Sequence, residues 1–93
     1  MENSFYNINE DKVLFTELGE EGVIFDLESS DYLNLNETYC TVFKLLQESK
    51  GIHEIIQILT ETYEVDIDVC QKDVEDVIKE LLDKKFIFKI DHS

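Results

Sequence analysis

The chain has 93 residues, 43% hydrophobic and 11% aromatic, enough for one compact domain with one core and too few for a separate catalytic domain. Its 22 acidic and 8 basic side chains leave a formal charge of -14, a field that repels phosphate backbones and anionic head groups. Neutral or basic partners are expected.

No apolar run approaches the roughly 20 residues of a membrane span, and the opening Met1-Glu-Asn-Ser-Phe-Tyr lacks the basic and apolar regions of a signal peptide. A cytoplasmic protein is expected. Residues 1–9 read as a flexible N-terminus, 10–90 as the domain and 91–93 as a tail.

In chain order, 12–18 alternates weakly, with Val13 and Phe15 on one face, and Gly19-Glu-Glu-Gly22 supplies turn residues able to take positive φ. In 22–28, Val23, Phe25 and Leu27 share one side while Asp26 and Glu28 point to the other, the pattern of a strand with one wet face. Ser29-Ser-Asp31 is a polar turn, and Tyr32-Leu-Asn-Leu35 alternates again with Leu33 and Leu35 together. The three segments predict an antiparallel meander.

Helical spacing then takes over. Asn36 is a good N-cap for a helix running to about Glu48, whose apolar face is Tyr39, Val42, Phe43 and Leu46. Ser49-Lys-Gly51 breaks it, and Ile52, Ile55, Ile56, Leu59 and Tyr63 mark a second helix. Asp66 or Asp68 caps a third, Asp68 with Gln71 having the spacing of a capping box, and Val74, Val77, Ile78, Leu81 and Leu82 form its apolar side. Lys84 and Lys85 complement the negative end of its dipole, and 86–90 reads as a short final strand. The fold class is α+β and winged-helix-like: a three-stranded antiparallel sheet followed by three helices and a short terminal strand.

Searching for chemistry yields little. His53 on a helix surface and the penultimate His92 make no convincing catalytic base, and no glycine-rich phosphate loop or EF-hand pattern is present. Cys40 and Cys70 lack Cys-x-x-Cys spacing, so buried free thiols are expected, with no metal and no cofactor. Asp73, Asp76, Glu80 and Asp83 share one flank of the third helix at repulsive spacing, which a ligand with a basic group would relieve. A winged helix that reads DNA has the same element order, but this third helix is acidic and the chain has no arginine for phosphates or guanine. A small enzyme subunit completed by a partner is the remaining alternative.

One arrangement is more specific. The segment Gly22-Val-Ile-Phe-Asp-Leu-Glu-Ser-Ser-Asp-Tyr-Leu-Asn-Leu-Asn36 is followed by Phe43-Lys-Leu-Leu46, Gly51, Glu54-Ile-Ile56, Leu59, Tyr63, Asp73-Val74, Leu81 and Phe86-Ile87. This ordered set, covering about 12–87, resembles the PqqD-like family, also called the recognition element of ribosomally made, modified peptides. Two positions depart from the family: the Ser or Thr cap often found just after Gly51, and a glycine often found near Lys85. Both concern helix ends.

The resemblance implies a non-catalytic protein that binds the leader of a precursor peptide as an added strand and presents it to a maturation enzyme, such as a leader peptidase or a radical enzyme. Among such pathways, which include quinone-cofactor synthesis, the lasso-peptide type is favoured because the chain is discrete and short. Carried over by position, the binding strand is Asp31, Tyr32, Leu33, Asn34 and Leu35, and the opposite wall runs from Cys70 through Asp73, Val74, Asp76, Val77 and Glu80 to Leu81. An edge strand with unpaired N–H and C=O groups suits that role. Val74, Ile78 and Leu81 also have ordinary core spacing, so Val77 is favoured over Ile78 as the residue facing the ligand. A monomer is expected.

Overall fold

The computed structural model describes residues 4–90. Its elements run β1 (Phe5–Ile8), β2 (Val13–Leu18), β3 (Glu21–Asp26), β4 (Tyr32–Leu35), α1 (Glu37–Gln47), α2 (Ile52–Tyr63), α3 (Ile67–Asp83) and β5 (Ile87–Ile90). Strands β2, β3 and β4 form the expected antiparallel meander, with Leu14 opposite Phe25, Phe25 opposite Tyr32 and Ile24 opposite Leu33. Gly19 makes the first turn at φ 71°, a conformation that glycine adopts without steric cost.

The second turn corrects the reading of β3. Its inward row is Gly22, Ile24 and Asp26, whereas Phe25 and Leu27 face outward. Asp26 faces inward because its carboxylate organises the turn: Oδ1 accepts from the N–H groups of Glu28 at 2.9 Å and Ser29 at 3.3 Å, and Oδ2 pairs with Lys12 Nζ at 3.3 Å. Burial pushes this carboxyl up, but the two backbone donors, the Ser29 hydroxyl and Lys12 outweigh it and hold the group below its ordinary value. Gly22 is inward because only a hydrogen fits there. A Cβ would lie 2.8 Å from Phe15 Cε1 and 3.1 Å from Cys40 Sγ.

A second correction concerns the N-terminus. Phe5–Ile8, expected within a flexible segment, is a strand paired antiparallel with β5, Phe5 opposite Ile90 and Ile8 opposite Ile87. Tyr6 is buried and Ile8 packs against the core, while the N–H of Ile52 donates to the Ser4 carbonyl at 2.8 Å. The final strand thus forms a separate two-stranded sheet with β1. Residues 1–3 and the expected tail at 91–93 lie outside the described residues.

The helices follow their apolar spacing. Asn36 caps α1, its Oδ1 accepting from Tyr39 N–H at 2.9 Å, and Val42, Phe43 and Leu46 are buried with Cys40. The Phe43 ring meets Phe15 of β2 with centroids 4.9 Å apart, fixing α1 against the inner face of the sheet. Helix α2 buries Ile52, Ile55, Ile56 and Leu59. Asp66 alone caps α3, accepting from Asp68 N–H at 2.9 Å, so Asp68 lies inside the first turn and the Asp68–Gln71 capping box is not the cap used. Cys70, Val74, Ile78 and Leu81 are its buried face, whereas Leu82 is exposed. Both cysteines are buried free thiols.

Candidate functional site

In the order β2-β3-β4, strand β4 has one edge without a neighbour among the described residues. Its hydrogen-bonding phase follows from two bonds at the C-terminal end of β3. The Asp31 carbonyl accepts from Asp26 N–H at 2.7 Å, and the Lys12 carbonyl accepts from Leu27 N–H at 2.7 Å. Main-chain groups of successive strand residues point to opposite sides, so Leu33 and Leu35, like Asp31, serve β3. The N–H and C=O of Tyr32 and Asn34 are left on the open edge, ready for an extended peptide.

Beyond the end of β4, the start of α1 and the middle of α3 enclose a cavity of about 340 Å³ lined by Asn36, Thr38, Tyr39, Asp73, Asp76 and Val77. A second cavity of the same size shares Asn36 and Tyr39 and extends to Asn34, Leu35 and the β2–β3 turn. Tyr39 stands between the two, and its hydroxyl donates to Glu80 Oε1 at 2.8 Å, tying α1 to α3. Burial, and then the Glu80 carboxylate, push the phenol well above its ordinary value, so it is a neutral donor at any working pH. Ion pairs among the described residues are Lys12 with Asp26 and Glu28, and Lys44 with Glu17, which leaves Asp73, Asp76 and Glu80 without a cation. The site therefore offers a main-chain edge, a half-buried apolar surface at Val77 and three uncompensated carboxylates.

The residues named from the sequence divide into two groups. Asp31, Tyr32 and Asn34 are exposed, Leu33 is half-buried, Asp73, Asp76 and Val77 line the cavity, and Glu80 is held by Tyr39. Leu35, Cys70, Val74 and Leu81 are a correction. All four are in the core, with Leu35 only 2% exposed and the Cys70 thiol directed to the Ile56 carbonyl at 3.7 Å, so their side chains support the groove from behind. Ile78 is buried too, which leaves Val77 as the aliphatic residue of α3 in the cavity wall.

Asn36, Thr38 and Tyr39 were not among the expected site residues. Asn36 reads only as a helix cap and Tyr39 only as part of an apolar face, and no spacing rule links Tyr39 to Glu80. A larger cavity of about 410 Å³ lies between α2 and α3, lined by His53, Ile56, Ile67 and Gln71 among others. Ile67 and Gln71 sit roughly half a turn around α3 from Asp76 and Glu80, and this cavity meets no strand edge.

Among solved structures, the chain is similar to TbiB1 in complex with the TbiA(beta) leader peptide, with 26% identity and a TM-score of 0.80 over 87% of this chain and 93% of that one. It is also similar in fold to a lasso peptide synthetase B1 complexed with the leader peptide, with 19% identity and a TM-score of 0.80 over 89% and 96%. No curated protein matches the chain. The model of the family described as coenzyme PQQ synthesis protein D (PqqD) matches residues 21–87, from the first residue of β3 to the first of β5, and this chain belongs to that family.

Proposed function

We propose that this chain binds the leader segment of a ribosomally made precursor peptide by adding it as a strand to β4, and delivers it to a maturation enzyme of the lasso-peptide type. The observation that carries this reading is the open edge of β4 beside the cavity formed by Asn36, Tyr39, Asp73, Asp76 and Val77. Main-chain pairing at Tyr32 and Asn34 supplies affinity that depends little on sequence. Leu33 and Val77 offer apolar contact, and Asp73, Asp76 and Glu80 favour basic leader residues. The TbiB1 structure, similar at 26% identity, holds a leader peptide. In this reading the chain takes no catalytic step; its contribution is to raise the effective concentration of substrate near the enzyme.

A fluorescein-labelled synthetic leader of a candidate lasso-type precursor, titrated with the protein, should show rising anisotropy with a micromolar or tighter Kd. Val77→Asn removes the aliphatic contact of α3 from the cavity wall without adding charge and should weaken binding about tenfold. A leader whose anisotropy stays flat up to about 100 µM protein overturns the assignment for that pathway.

A further inference from the structure

The outer face of the sheet carries a feature that strand addition alone does not use. Leu14, Phe25 and Tyr32 lie directly opposite one another across β2, β3 and β4, and are 57%, 38% and 66% exposed. A sheet face turned to water is ordinarily polar. Here one row is apolar from edge to edge, and its next position is the place a fourth strand would fill. The adjacent row, Thr16, Val23 and Asn34, ends on a polar residue at the same edge.

From this register we infer that the bound leader is read on the outer face of the sheet as well as in the groove: its residue paired with Tyr32 is aliphatic or aromatic and completes the row Leu14–Phe25–Tyr32. The inference rests on the strand addition proposed above. Because the N–H and C=O of Tyr32 point to the open edge, the two residues would form a hydrogen-bonded pair with side chains on the same face. The pair facing Asn34 has the same geometry but meets a polar side chain. The leader residue between these two positions, opposite Leu33, faces the helices.

For an antiparallel ligand the predicted order along the leader is a polar-tolerant outward position, an inward position, and then an apolar outward position. A second copy of the chain is a poorer occupant of the row, since each copy carries a formal charge of -14.

The test uses the labelled leader and two substitutions. N-methylation of the leader, one residue at a time, should find two positions, two residues apart, where methylation abolishes binding; these face Asn34 and Tyr32. Replacing the side chain at the C-terminal one of the two by aspartate should weaken binding to the wild-type protein by about two- to five-fold. Tyr32→Thr should lose a similar factor, and in that variant the aspartate leader should bind nearly as well as the parent leader. Leu14→Thr, at the far end of the row, should preserve the discrimination.

Equal losses from the aspartate leader on wild-type and Tyr32→Thr protein overturn the inference while leaving leader binding intact. So does a dimer in sedimentation that Tyr32→Thr dissociates. A parent leader that does not bind at all removes both this inference and the function on which it rests.

Discussion

Gly22→Ala tests the inverted face of β3. The added Cβ would lie 2.8 Å from Phe15 Cε1, 3.1 Å from Cys40 Sγ and 3.2 Å from the Thr16 carbonyl oxygen. The first contact is with a ring already packed against Phe43, and the third is with backbone, so neither yields freely. Overpacking of this kind costs about 1–3 kcal/mol, offset by about 0.4–1 kcal/mol from the reduced freedom of the unfolded chain. A net loss of up to about 2.6 kcal/mol is expected in urea unfolding monitored by circular dichroism. Phe15→Leu removes the nearest atom, so the double variant should be more stable than the sum of the two single losses implies, by at least about 0.5 kcal/mol. If Gly22→Ala is stabilising, or if the two changes simply add, Gly22 does not face Phe15 and Cys40 as described.

Other consequences concern the turns and the groove. Asp26→Asn removes the partner of Lys12, so the variant should be less stable at neutral pH. The Asp26 carboxyl is held below its ordinary value, so its contribution is complete above about pH 4 and is lost as pH falls through the folded-state value. The gap between wild type and variant in urea midpoints should therefore be constant from neutrality to mild acid and close below it. Asn36→Ala deletes the cap of α1 and should cost about 0.5–2 kcal/mol in the same assay. Tyr39→Phe removes the bond from α1 to Glu80 and should cost about 1 kcal/mol or less at this partly exposed position, without loss of cooperativity.

Legibility from sequence tracked how local the determining physics is. The three helices were readable because each carries an i, i+3, i+4, i+7 apolar set, fully buried in α2 and buried but for half-buried Tyr39 in α1 and Val77 in α3, and begins at a residue able to cap it. Leu33 and Leu35 were likewise readable as one face of β4. Strand β3 was not, because three large apolar residues, Val23, Phe25 and Leu27, occupy one phase and Gly22, Ile24 and Asp26 the other. The core takes the second set for reasons set elsewhere in the chain: Phe15 and Cys40 leave no space beside Gly22, and Lys12 accompanies Asp26 inward. The same non-local logic made β1 unreadable. Phe5–Ile8 is a short segment whose order depends on β5, more than 75 residues away in sequence.

The candidate site was legible as a strand edge with an acidic wall, and less so in its details. Val77 is separable from Ile78 because the two differ by 100° around α3, yet the spacing of Val74 and Leu81 suits both core and groove, and the core holds them. The contribution of Tyr39 depends on a contact across 41 residues and leaves no mark in the spacing.

The most direct test of leader capture at β4 is a titration of ¹⁵N-labelled protein with the synthetic leader, followed by amide shifts. Strand addition predicts the largest changes at Tyr32, Leu33, Asn34 and Leu35, with Asp73, Asp76 and Val77 following and the backbone amides of Tyr32 and Asn34 becoming protected from exchange. Shifts concentrated instead at His53, Ile56, Ile67 and Gln71, around the larger cavity between α2 and α3, with β4 unchanged, would contradict it.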